Sequence, residues 1–263
     1  MVCRSPSARR LNCVAWICLL SAGGGGSALG RAAEPIVLAE DLELYPVVAG
    51  VWRHVSWAKL PGSGLTPANG LVVIDGSEVA LIDTPWDDGQ TAMLLDWADR
   101  EKRATRHVVV VGHAHQDCLG GLAEAHARGA ESYASALTVG LAKRHGDEVP
   151  RHAFTDTLTV RVGKRRLELR HAGAGHTQDN IVIWLPDARV LFGGCLVRSP
   201  GARNLGNPAE ADPAAWLATV ERLAALYPTA RIVVPGHGEP GGPELLTHTA
   251  DLARAAAAGQ TAD

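Results

Sequence analysis

Three stretches of the chain set histidine beside other metal-binding side chains: His113-Ala-His115-Gln-Asp117, His176 in GAGHTQDN and His237 in VVPGHG, with Cys195 in LFGGC as a fourth. In an extended segment, residues two apart project to the same side. His113 and His115 can therefore reach one cation, while Asp117 can swing toward a second. Two nearby histidines alone occur by chance. An HxHxD run at a strand end, joined by three further ligand residues beside glycine, predicts a metal site with room for two ions. Imidazole, carboxylate and thiolate together favour zinc over magnesium or calcium, divided as three His on one ion and Asp, Cys and His on the other. Three protein ligands per ion leave a position for water, which separates a catalytic zinc from a structural one, and the predicted chemistry is hydrolysis.

The elements that must position these residues follow from periodicity. VVAGVWRHVSW and GLVVIDGSEVALIDT alternate as strands joined by hairpins, with a turn at Asp75-Gly76. Between them, Leu60 to Asn69 is rich in Gly and Pro and carries Leu60 and Leu65, as a flap over a pocket would; an ordinary loop is the alternative. Helices are predicted over 87–102, 122–127, 136–144, 213–226 (Asp212 as cap, Pro213 in the first turn) and 243–258. HVVVVG and RIVVPG read as fully buried strands that end in the ligand residues, where α/β folds usually place chemistry. Strands then helices occur twice over with no Pro/Ser-rich linker, so the expected fold is α+β, a single-domain αββα sandwich spanning 31–263.

Residues 1–30 read differently. Arg4, Arg9 and Arg10 precede the apolar run Leu11 to Leu20 and then small residues, the outline of a secretory signal peptide. The run is shorter than the roughly 20 residues that span a bilayer. Export to the periplasm as a monomer with no membrane attachment is expected, with a lipoprotein as the alternative. Cleavage removes three Arg and no acid, so the net charge of -3 falls to about -6, and neither nucleic acid nor anionic membrane is an expected partner. Of five cysteines, Cys118 and Cys195 remain. A disulfide between them is set aside because both lie in ligand-rich motifs.

LIDTPW, HAHQDCLGG, GAGHTQDNIVIWLP, FGGCLVRS, NLGN and PGHGEP resemble the metallo-β-lactamase superfamily over nearly all of the mature chain. More narrowly they resemble the di-zinc first subclass of class B, with HAHQD, FGGCL, LGN and THTA similar to the New Delhi type. Glyoxalase II-like thioesterases, lactonases and tRNA-processing nucleases of the superfamily typically follow HxHxD with another His and bridge the metals by an Asp. Cys118 and Cys195 stand in those places here.

The resemblance implies His113, His115 and His176 on the first zinc and Asp117, Cys195 and His237 on the second. It also implies hydroxide attack on the β-lactam carbonyl of penicillins, cephalosporins and carbapenems, oriented by Asp117, with monobactams poor substrates. Arg198 would pair with the substrate carboxylate, or is a surface Arg. Asn207 would hydrogen-bond the lactam carbonyl or carboxylate, or is a turn residue. Residues 60–66 become the substrate flap, and Trp86 a pocket wall or a core residue. Asp83 would orient the first motif, or cap a turn; Cys118 is a lone thiol near the site. A lactone or thioester hydrolase and a non-catalytic zinc-binding protein are the competing functions.

Overall fold

The computed structural model describes residues 34–62, 64–206 and 209–260. The expected signal peptide and Asn207 lie outside them. The described residues form one compact unit.

Eight strands make the first sheet in chain order: β1 (Ile36–Ala39), β2 (Leu42–Val48), β3 (Val51–Leu60), β4 (Gly64–Asp75), β5 (Glu78–Ile82), β6 (Arg106–Val110), β7 (Glu131–Ser135) and β8 (His152–Phe154). β1 to β5 pair antiparallel, and β5 to β8 parallel. The second sheet comprises β9 (Thr157–Val162), β10 (Arg165–Arg170), β11 (Val182–Leu185), β12 (Val190–Gly194) and β13 (Ile232–Pro235). Its β12 and β13 run parallel. Helices α1 (Asp88–Lys102), α2 (Gln116–Leu119), α3 (Leu122–Ala127) and α4 (Ala136–His145) fall between strands of the first sheet; α5 (Pro213–Leu226) and α6 (Glu244–Gln260) flank β13.

Alternation along the strands explains why three apolar layers form. Val72 and Val109 face α1, α3 and α4, while their neighbours Leu71, Val73, Val108 and Val110 turn inward onto Val162, Leu169, Ile183 and Phe192 of the second sheet. Val182, Leu191 and Val233 face the other way, onto Trp216, Val220 and Leu245 of α5 and α6. Strands buried on both faces must be continuously apolar, as HVVVVG is. The αββα sandwich is thus present.

Local signals set the helix ends. Asp87 accepts from Gln90 N–H at the start of α1, and Asp212 accepts from Ala215 N–H at the start of α5, where Pro213 needs no acceptor.

The segment 60–69 is not an open loop. β3 and β4 stay in register to the pair Leu60 and Gly64, so it forms the end of a β-hairpin arm. Gly62 at φ 79° and Gly64 at φ 72° adopt the left-handed backbone that so short a reversal needs. Strand alternation then sets Leu60 and Leu65 on opposite faces. Leu65, 69% exposed, shares the face of Pro67 and Asn69, whereas Leu60 does not.

Candidate metal centre

The chain leaves β6 through Val111 and Gly112 into His113. Gly112 N–H donates to Asp83 Oδ1 at 2.5 Å, and a Cβ at Gly112 would lie 2.8 Å from that oxygen, so glycine allows the close approach. Asp83 is 1% exposed and sits at φ 58°, an unusual backbone for aspartate, at the end of β5. Burial pushes its carboxyl well above the ordinary range, with the Gly112 bond opposing. Asp179, in the motif of His176, accepts from Ala114 N–H at 2.9 Å and Thr138 Oγ1 at 2.8 Å. The HxH segment is therefore pinned from both sides.

His115 caps the single turn of α2, which carries Asp117 and Cys118. His176 lies in the loop after β10, where Asn180 accepts from Thr177 N–H and donates to the Gly173 carbonyl. Cys195 follows β12, whose Gly194 at φ 53° turns the chain. His237 follows β13, and its Nδ1 donates to the Pro67 carbonyl at 2.6 Å.

The ligand atoms converge in two groups. His115 Nδ1 lies 2.9 Å from His113 Nε2 and 3.4 Å from His176 Nε2. Cys195 Sγ lies 3.5 Å from Asp117 Oδ2 and 3.4 Å from His237 Nε2, and those two are 3.2 Å apart. Donors 2.0–2.3 Å from one tetrahedral zinc are separated by about 3.3–3.7 Å; the second group's 3.2–3.5 Å is close to that spacing, and the first group's His113–His115 pair, at 2.9 Å, is tighter and would open to admit the ion. The groups adjoin, since His113, His176 and Cys195 offer ligand atoms within 4.8 Å of one another.

Protonation supports the fit. Burial pushes His113 down to about 4 and His176 to about 3, leaving both neutral at pH 7 as ligands must be. Burial would raise Asp117, but the hydrogen bond from His237 and the nearby imidazoles outweigh it and hold the carboxyl well below its usual range. A hydrogen bond from the Cys118 thiol lowers Cys195 to about 7. Burial would lower His237, yet the charges of Cys195 and Asp117 raise it well above its usual value. The carboxylate and thiolate thus draw positive charge to His237 Nε2, and a metal ion bound there would take the place of that proton.

Cys118 is buried, and burial pushes its thiol up. It touches His113 Nδ1 at 3.1 Å and bonds Asp83 and Cys195. Both cysteines are free, so no disulfide joins them.

The flanking residues divide. Arg198 is half-buried; its guanidinium lies against Gly206, and its Nε is buried without a partner among the described residues. Trp86 is half-buried, with Nε1 donating to the Ser56 carbonyl at 3.1 Å, which fixes it beside the root of the arm. Glu210, missed in the sequence, lies 3.5 Å from His115 Nε2, the nitrogen turned away from the convergence point. A carboxylate there orients a metal-binding imidazole. Its only signal is an acid in the segment after NLGN. Histidines 107, 126, 152, 171 and 248 each have a hydrogen-bond partner away from the two groups.

Residues 63–237 match the family model of the metallo-beta-lactamase superfamily. The chain is 41% identical over 221 residues to the metallo-beta-lactamase type 2 of Bacteroides fragilis, covering 84% of this chain and 89% of that one. It is 38% identical over 202 residues to the type 2 protein of Bacillus cereus, covering 77% and 78%. A solved metallo-beta-lactamase from Pontibacter korlensis superposes with a TM-score of 0.78 at 38% identity, covering 81% of this chain and 99% of that one. Sequence and superposition extend across both sheets and the segments that carry the converging side chains, and the chain belongs to the metallo-β-lactamase superfamily.

Proposed function

We propose that the protein is a di-zinc β-lactamase of the first class B subclass, hydrolysing penicillins, cephalosporins and carbapenems after export to the periplasm as a monomer. The observation that carries the reading is the pair of adjacent donor triads, one all-imidazole and one of carboxylate, thiolate and imidazole. Zinc held by His113, His115 and His176, and by Asp117, Cys195 and His237, would supply Lewis acidity and a water acidified to a pKa of about 7.

The protein's own groups bind and orient. Asp117 turns Oδ2 toward Cys195 and His237. Its other oxygen is the acceptor for the attacking water, which it aims at the lactam carbonyl carbon. Asp83 and Asp179 hold the backbone on either side of His113, and Glu210 keeps the His115 imidazole from rotating away from the donor geometry. Arg198, with a buried nitrogen still to be satisfied, receives the substrate carboxylate. Asn207 donates to the lactam carbonyl or carboxylate. Leu65 closes over the substrate's apolar substituent from the arm, Leu60 supports the arm tip, and Trp86 bounds the pocket. Residues 1–30 serve as the signal peptide. Among the described residues no helix is long and apolar enough to cross a membrane.

Purified protein starting at residue 31 is assayed against benzylpenicillin, meropenem, a simple lactone and a thioester. Ring opening of both β-lactams with the other two untouched is expected; turnover of the lactone or thioester alone would replace the proposal with the competing hydrolase.

A further inference from the structure

His237 hangs on a segment with little to stiffen it. Gly236 and Gly238 flank it, Gly238 at φ 80°, and β13 has already ended at Pro235. One side of it packs on Cys195 and Ser199, and on the other side what fixes this backbone comes from the first sheet. Asn69 N–H donates to the Gly236 carbonyl at 2.8 Å, and Asn69 Nδ2 donates to the carbonyls of Pro235 at 2.8 Å and Gly238 at 2.7 Å. The Gly238 carbonyl takes a second, charged donor, Arg53 Nη1 at 3.1 Å.

Arg53 is 4% exposed, an unusual place for a guanidinium. Its carboxylate partner Glu239, at 3.1 Å, has a side chain 78% exposed, and water screens that pairing. The Tyr45 ring beneath it, 4.7 Å away, adds a weaker contact. The part-buried bond to Gly238 is what this placement achieves. Beside it opens a cavity of about 140 Å³ lined by Tyr45, Arg53, Trp57, Pro67 and Glu239 among others. On this side the His237 segment is held by hydrogen bonds and not by packed side chains.

We infer that Arg53, together with Asn69, is a positioning residue for His237 and so sets how tightly the second metal is held. Arg53 and Val55 on β3 share a face with Asn69 and Pro67 on β4, and the same two strands continue outward as the arm. The carbonyl that orients the His237 ring belongs to Pro67 in that arm. The root of the arm and the second donor triad are therefore one hydrogen-bonded unit, while the first triad has no member in it.

The inference rests on His237 being a ligand of the second zinc. Arg53→Met keeps the aliphatic packing and removes the charged donor; Asn69→Ala removes the other, and is read in parallel should Arg53→Met fail to fold. Stepwise zinc affinities are measured by chelator competition. The thiolate-to-cobalt charge-transfer band of the cobalt(II) form reports occupancy beside Cys195. Expected for each variant is a second-ion affinity 10–100-fold weaker, with the first ion changed less than threefold and the band lost in parallel. Glu239→Ala, which removes only the screened partner, should shift neither ion more than threefold. Unchanged second-ion affinity in both variants, equal weakening of both ions, or a Glu239→Ala effect as large as Arg53→Met would overturn the inference. His237→Ala separates the two claims. If it keeps both ions, the ligand reading fails; if it loses the second ion while the Arg53 and Asn69 variants do not, only the positioning claim fails.

Discussion

Gly236→Ala should disarm the second donor triad without altering any ligand. Gly236 adjoins His237, and its α-carbon faces Cys195 where β12 and β13 end side by side. A Cβ there would lie 2.6 Å from the Cys195 amide nitrogen and 2.9 Å from the Gly194 carbonyl carbon, with the Cys195 sulfur closer still. Ordinary contact begins at 3.4 Å, so Cys195 must retreat by about 0.8 Å even from the amide clash. Metal ligands tolerate errors of about 0.2 Å, so the retreat removes the thiolate from the geometry it shares with Asp117 and His237. Overpacking of this kind costs about 1–3 kcal/mol, a few degrees of melting temperature and not the fold. The assay is zinc content after dialysis against a weak chelator, beside the thermal melt. One zinc per chain where the parent protein holds two is expected. Two zinc ions held with parental affinity would refute the reasoning.

Cys195→Ser should weaken the second zinc far more than Cys118→Ser, because Cys118 is a neutral thiol packed against His113 and Asp83; equal zinc loss in both would refute the assignment. Stability should fall on acidification through His54, which is fully buried, bonds the Asp83 carbonyl, and is pushed by burial from 6.5 down to about 4. Between those values the unfolded chain takes up the proton and the folded chain does not, so about 3 kcal/mol is lost as pH drops from 6.5 to 4. Denaturant titrations across that window should show a shallower pH slope for His54→Gln, and equal slopes would count against it. Aztreonam should turn over far more slowly than meropenem, and comparable rates measured side by side would contradict the subclass.

What the sequence makes legible is whatever depends on neighbours along the chain. The α5 cap and proline, the buried strands of HVVVVG and RIVVPG, and the ligand runs at their ends all rest on local patterns, and they stand in the structure. β7 was not legible, because ESYAS is polar in composition and is a strand only through its parallel partners on both sides. The arm reads as a loop because Gly and Pro lower strand propensity, yet cross-strand pairing with Val55 to Leu60 holds it extended. Asp179, Glu210, Asn69 and Arg53 escape for a different reason. Arg53 meets Gly238 185 residues away, and nothing in either local sequence marks the other.

The most direct test of the central claim is meropenem hydrolysis by the purified mature protein with and without chelator, followed by zinc add-back. Turnover that chelator abolishes and zinc restores, reaching full rate at two zinc ions per chain, is the predicted result. Turnover indifferent to chelator, or none with zinc bound, would contradict it.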